Sequence, residues 1–311
     1  MVKSTDNRLL AIVCVLSGVG FASIQDAVVK SMSSGYPAYE TLLFRCFASL
    51  PVLAFIMWRA GNGWSIATSL WKRILLRGVI LGIAYMGFVL AIAAMPIANA
   101  VAIYFTMPFF VAGLAGPLLG ERVRLHRWLA IIAGFIGVLI IVRPGIGVFE
   151  PAALLALVSA VGYAVGQMIG RPISQEVPPI VIAIWQNFIY MALGLALAVI
   201  FNVFDFGPFE HPSLVFLSRP FAIPTLFDSV FLFGHGVLAA LAMLLFVNAY
   251  KNAETNFVAP FEYSAMIWAV LFGLLLFGDF PDLPTWFGAG IVVTAGILMI
   301  YRDRQLDRSV T

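Results

Sequence analysis

Residues 17–25 read SGVGFASIQ and residues 159–167 read SAVGYAVGQ. Serine, valine, glycine, an aromatic, alanine and glutamine recur in the same order, 142 positions apart. Continued without a gap, the match sets Leu16 to Arg45 against Val158 to Asn187 and brings Pro37 onto Pro179 and Arg45 onto Asn187. With the spacing widened to 158, GFVLAIAAMPIANAVAIYFTMPF falls on LFVNAYKNAETNFVAPFEYSAMI, Tyr104 meets Glu262, and LLGERVRLHRW falls on LFGDFPDLPTW. The extra 16 residues fit a stretch between about 202 and 228 that is rich in Phe and Pro. One unit is written twice, over 1–146 and 147–311.

The unit is made of membrane helices. Of 311 residues 62% are hydrophobic and 11% charged, against about 45–50% and 25% in a soluble domain, and the mean hydropathy is +1.01. Apolar runs recur that are long enough to cross about 30 Å of hydrocarbon at 1.5 Å per residue. The polar breaks leave ten spans, near 9–30, 38–58, 74–94, 97–117, 127–143, 151–170, 178–201, 229–250, 255–277 and 284–301. The absence of short alternating segments argues against a barrel. The first span lacks a small-residue cleavage site and is expected to be a retained anchor.

Net charge is only +3, but its placement is informative because short cytoplasmic loops collect Lys and Arg. Fourteen lie on the N-terminal side: Lys3, Arg8, Arg59, Lys72, Arg73, Arg77, Arg122, Arg124, Arg127, Arg171, Lys251, Arg302, Arg304 and Arg308. Three lie opposite, namely Lys30, Arg143 and Arg219, with Arg45 inside a span. Both termini are therefore expected in the cytoplasm. No aromatic or glycine-rich pattern accompanies the basic loops, so they mark topology and not nucleic acid. Five helices per unit is an odd number, so the second copy must enter the membrane from the opposite face. The copies agree: GERVRLHR is basic and GDFPDLPT is not. The expected fold is an all-α membrane protein of ten transmembrane helices in two inverted five-helix repeats, an arrangement recurrent in secondary transporters.

The 5+5 plan, the run from Pro108 through Pro117 to Gly120, Glu121 and Arg122, and VAPFEY from Val258 to Tyr263 resemble the drug/metabolite transporter superfamily, EamA type. The resemblance covers nearly the whole chain and implies alternating-access transport of small organic solutes. DAVVK, FR in span two and APFEY resemble a bacterial branch that includes S-adenosylmethionine and riboflavin carriers. The YLWP of aromatic amino acid exporters is absent, since span four reads IYFTMP; an amino acid or drug exporter of the superfamily is the alternative.

Polar groups inside lipid are costly and mark function. Counted along each span, Gln25, Asp26, Arg45 and Tyr104 belong to the outer half, and their counterparts Gln167, Met168, Asn187 and Glu262 to the inner half. Such clusters suit a cavity opened alternately from each side. Asp26 and Arg45 form either an ion pair joining spans one and two or a pair that opens for a zwitterionic or charged solute; Lys30, one turn from Asp26, competes as a partner. Glu262 has no cation at its depth, so it is a candidate for proton coupling, or else ties off a backbone carbonyl freed by Pro260. Among the aromatics inside spans, Tyr163 and Tyr263 neighbour these polar positions and are expected in the substrate site.

Glycines spaced by four, at Gly78 and Gly82, Gly116 and Gly120, and Gly162, Gly166 and Gly170, are expected to pack helices within one bundle, giving a monomer or a weak dimer. Cys14 and Cys46 have no metal-type spacing, and no metal or cofactor is expected. No G-x-x-x-x-G-K run is present, so energy comes from a gradient, by a proton or a counter-substrate. An intramembrane enzyme would need H-E-x-x-H, G-x-S-x-G or converging histidines; only His126, His211 and His235 are present and neither motif occurs. A channel or a structural membrane protein is the remaining alternative. The partners expected are a small-molecule substrate and the lipid bilayer.

Overall fold

The structure, a computed structural model, describes residues 7–59, 65–119, 124–143, 150–204, 206–207, 209–253 and 255–308. The Gly120–Arg122 part of the family-like run lies outside them. Ten helices are long and apolar enough to cross a membrane, and among the described residues there is no strand. In sequence order they are α1 (Arg8–Met32), α2 (Ala38–Arg59), α3 (Trp71–Ala94), a broken fourth span of α4 (Ile97–Tyr104) and α5 (Met107–Leu119), α6 (Leu125–Val142), α7 (Ala152–Glu176) and α8 (Pro179–Val203). After a short helix, α9 (Pro212–Ser218), come α10 (Leu226–Asn252), a broken ninth span of α11 (Thr255–Glu262), α12 (Ala265–Phe272) and a π turn (Gly273–Phe277), and finally α13 (Leu283–Arg308).

Local chemistry sets the ends. Asn7 and Thr225 accept from the backbone N–H groups of Leu10 and Asp228, at 3.1 Å each, opening α1 and α10. Pro179 occupies the first turn of α8, where its missing N–H costs nothing. The expected single spans four and nine are instead broken, and in span four proline is the cause. Pro108 cannot donate to the Tyr104 carbonyl, and the chain tightens into three-residue bonds: Thr106 N to Ile103 O at 3.0 Å, Thr106 Oγ1 to the same oxygen at 2.7 Å, and Phe109 N to Thr106 O at 2.9 Å. Near Pro260 the same tightening appears, with Ser264 N on Phe261 O and Met266 N on Tyr263 O, both 3.1 Å.

Packing pairs α1 with α10, α3 with α7, and α6 with α13, while α2 lies against both α8 and α10. The broken spans touch each other through α4 and α12 at the centre. Small residues permit the closest crossings. A Cβ on Gly162 would lie 2.7 Å from that of Ala84, and one on Gly166 would meet Leu81, so the expected glycine stripe of span six seats α7 on α3. The crossing of α6 and α13 is tighter still, because it is backbone on backbone. A Cβ on Gly137 would stand 2.7 Å from the Gly288 carbonyl oxygen, and one on Gly288 2.5 Å from that of Gly137. Gly288→Ala is expected to cost about 1–3 kcal/mol by forcing the pair apart, seen as a lower melting temperature in detergent.

The two ends of the bundle differ. At one end Lys30 donates to Asp279 Oδ2 and to the Met95 carbonyl, both at 2.9 Å, Arg143 pairs with Asp282, and Arg219 donates to Ser33 O at 2.8 Å. Tyr36 donates to Asp228 at 2.6 Å, and Ser213 of α9 to Leu90 O at 2.7 Å. At the other end the cross-links are Asp303 with Arg127 at 3.0 Å and with His126 at 2.7 Å, and Arg8 over the Phe257 ring at 5.4 Å. Trp71, Trp128 and Trp286, near helix ends as belt residues should be, are 44%, 48% and 43% exposed.

Candidate functional site

Five polar side chains deep inside the bundle keep part of their surface accessible and lie within electrostatic reach of one another: Asp26 of α1, Arg45 of α2, Tyr85 of α3, Tyr104 of α4 and Tyr163 of α7. The helix contacts bring them together. α3 carries Tyr85 across to α8, where it stacks on Tyr190 with ring centroids 5.6 Å apart, and α4 sets Tyr104 edge-on to Tyr163 at 5.3 Å.

Arg45 is the centre of this group. Its guanidinium sits 4.8 Å from the Tyr85 ring centroid and 5.6 Å from that of Tyr190, a cation–π cage. Nε is buried and unpartnered, and among the described residues the side chain makes no hydrogen bond or ion pair. The Arg45 backbone is pressed against α10, where any Cβ on Gly236 would strike its carbonyl oxygen. One residue earlier on α10, His235 is 1% exposed, with Nε2 3.5 Å from the Tyr85 hydroxyl and Nδ1 unpartnered.

The expected Asp26–Arg45 contact pair is not formed. Asp26 lies within electrostatic reach of Arg45 but makes no ion pair within 4.0 Å and no hydrogen bond among the described residues. Lys30 does not compete for it either, being spent on Asp279 and Met95. The two opposite charges therefore stand within electrostatic reach without closing on each other.

The other expected site residues lie around this centre or away from it. Asn187 bolts α8 to α2, accepting from Ser49 Oγ at 2.8 Å and donating to the Cys46 carbonyl at 3.1 Å. Gln25 is turned back on its own helix, donating to Phe21 O at 3.4 Å. Gln167 is exposed on α7. Glu262 accepts from the Tyr250 hydroxyl of α10; the backbone carbonyl expected as its partner is replaced by a phenol. Tyr263 abuts Phe105, centroids 4.8 Å apart, and turns its buried, unpartnered hydroxyl onto Gly296 of α13.

Tyr85, Tyr190, His235 and Tyr250 were not singled out by sequence reasoning as site residues. Tyr85 and Tyr190 carried a signal, since both are polar aromatics at mid-span, but nothing in the sequence places them beside Arg45. Beneath the cage, Arg77 of α3 donates to Gln186 Oε1 at 2.9 Å and to the Gly166 carbonyl at 3.2 Å, and Gln186 donates to Tyr190 Oη at 3.1 Å. This chain holds the Tyr190 ring in place. A hollow of about 490 Å³ lies between the end of α8 and α9, lined by Asn202, Phe206 and Arg219 among others. Its polar groups are already committed, Asn202 to Tyr39 and Arg219 to Ser33, so it is the weaker candidate.

The profile of the EamA-like transporter family matches residues 9–143 and again residues 150–302. The chain is 24% identical over 285 residues to a protein of Rickettsia bellii named S-adenosylmethionine uptake transporter, covering 91% of each chain. It is 29% identical over 297 residues to the riboflavin transporter of Rhizobium johnstonii, covering 94% of this chain and 91% of that one. A solved crystal structure, 16% identical, matches with a TM-score of 0.62 over 94% of this chain and 98% of the other, a likeness of fold.

Proposed function

The chain belongs to the EamA-like transporter family, and we propose that it is a secondary carrier moving a small organic metabolite across the bacterial inner membrane by alternating access. The cargo proposed is S-adenosylmethionine or riboflavin, as in the relatives named above. The observation that carries the reading is the pair of opposite charges, Asp26 and Arg45, held without direct contact among tyrosines within ten membrane helices. A membrane protein does not hold a guanidinium without acceptors for stability; a solute that supplies them accounts for its retention.

Alternating access is proposed to run through two inverted halves, 1–146 and 147–311, with both termini cytoplasmic. The family profile supports this by matching twice. So do the breaks of the two central spans, at 105–106 and 263–264, which are separated by the same 158 positions as the sequence match. Exchanging each span for the one five later also maps helix contacts onto one another: one with eight becomes six with three, and five with ten maps to itself. The ties at the Lys30 end support reading this conformer as closed there, with the site facing the cytoplasm.

Exchange in proteoliposomes tests the carrier reading. Vesicles loaded with unlabelled solute should take up labelled S-adenosylmethionine or riboflavin transiently and saturably; linear, non-saturating flux would indicate a pore instead. Glu262 is proposed as the proton-coupling group, faced by Tyr250 and within electrostatic reach of Tyr104 and Tyr263. Glu262→Gln keeps the hydrogen bonding and removes titration. Solute exchange should persist in it while acceleration by an imposed proton gradient disappears; an undiminished response to the gradient would remove Glu262 from this role.

A further inference from the structure

We propose that this buried polar cluster forms a subsite for an α-amino-acid head, in which Arg45 receives the carboxylate and Asp26 the ammonium group of the solute. The inference rests on the carrier reading and adds to it the class of chemical group that is recognised.

The geometry of Arg45 selects the anion. A guanidinium has five N–H donors in a planar fork that matches the two oxygens of a carboxylate. Here the rings of Tyr85 and Tyr190 provide only cation–π contact, and aromatic faces leave the donors on the edge unfilled. No carbonyl, carboxylate or amide oxygen of the described residues reaches them. A planar two-oxygen acceptor supplied by the solute fits this vacancy in bonding.

Asp26 narrows the class. It lies within electrostatic reach of Arg45 from the adjacent helix, keeps part of its surface accessible and is free of contact partners among the described residues. A phosphate or simple organic anion on Arg45 would face this carboxylate, and a simple cation on Asp26 would face the guanidinium. A solute carrying both signs a few bonds apart meets both demands, and an α-amino acid head is such a group. S-adenosylmethionine bears one on its methionine portion and riboflavin does not, so the subsite favours the first over the second. The edge-to-face tyrosines Tyr104 and Tyr163 remain for the planar part of the solute.

The test uses the full chain in liposomes loaded with unlabelled S-adenosylmethionine and scores inhibition of labelled S-adenosylmethionine uptake. The competitors are S-adenosylhomocysteine, which keeps the head, decarboxylated S-adenosylmethionine, which lacks the carboxylate, N-acetyl-S-adenosylhomocysteine, whose amine is neutral, and riboflavin. The intact head should compete at a concentration at least about tenfold lower than either altered head. Arg45→Gln should abolish the preference for the carboxylate and keep that for the amine; Asp26→Asn should do the reverse. The competition series on the unsubstituted protein needs no variant to fold. Saturable uptake with equal inhibition by intact and altered heads, or saturable exchange of riboflavin alone, overturns the inference and leaves the carrier reading standing. No saturable exchange of either solute overturns both.

Discussion

Arg45→Leu is expected to raise the melting temperature of the empty protein while reducing transport about a hundredfold or more. The two effects have one cause. Arg45 has a buried, partnerless Nε, and its guanidinium is contacted by two tyrosine rings with Asp26 in electrostatic reach but not in contact. A buried charge without hydrogen-bonded acceptors costs desolvation that an apolar side chain of similar bulk avoids, and Asp26 makes no direct contact with Arg45 that the change would break. Losing one partner of a buried charged contact to a ligand costs about 2–5 kcal/mol, which is one and a half to three and a half decades in affinity. Stability and function should therefore move in opposite directions, as they do at sites kept for activity. Arg45→Lys, which keeps the charge without the fork, should fall between. A fall in melting temperature on Arg45→Leu would instead mark the residue as a structural brace.

Charge reversal at Lys30 should be nearly as damaging, and repairable. Lys30→Glu would set two carboxylates face to face at the position where Lys30 now bonds Asp279 at 2.9 Å, with side chains 14% and 31% exposed. Like charges so placed cost several kcal/mol. On the proposed alternating-access cycle this bond belongs to the conformer closed at that end, so the cost falls on one of two states, and each 1.4 kcal/mol shifts their ratio tenfold. Transport should drop at least about tenfold in Lys30→Glu and in Asp279→Lys alone. The double exchange should recover to within about threefold, the remainder reflecting the lost bond to the Met95 carbonyl. Rates indifferent to the single reversals would remove the contact from the cycle.

The span pattern was legible because it depends on composition summed over some twenty residues, and the helices lie close to where hydropathy puts them. Helix breaks were not, although Pro108 and Pro260 were visible, because whether a proline kinks or interrupts a span depends on which neighbours satisfy the freed carbonyls. Asp26 and Arg45 stood out since charge in an apolar run is conspicuous. Their relation did not. It is decided by the register of α1 against α2 and by the draw of Tyr85 and Tyr190 on the guanidinium, neither of which a single sequence encodes locally. Lys30 and Asp279 lie 249 positions apart, and Tyr250 came to Glu262 through the turn between α10 and α11. Of the glycines spaced by four, Gly162 and Gly166 seat α7 on α3, while Gly78 and Gly82 face α8. The tighter crossing at Gly137 and Gly288 follows no such spacing and appears only when the two helices are set side by side.

Inverted halves around a common site are the central claim, and Leu125 and Leu283 report on it most directly. They are equivalent positions under the 158-residue offset, each opens a helix, and they are 74% and 72% exposed. Single cysteines there, in a chain lacking Cys14 and Cys46, can be challenged with a membrane-impermeant maleimide on intact spheroplasts. Leu283→Cys should be labelled from outside, and Leu125→Cys only after the membrane is disrupted. Labelling of both from the same face would contradict the inverted arrangement.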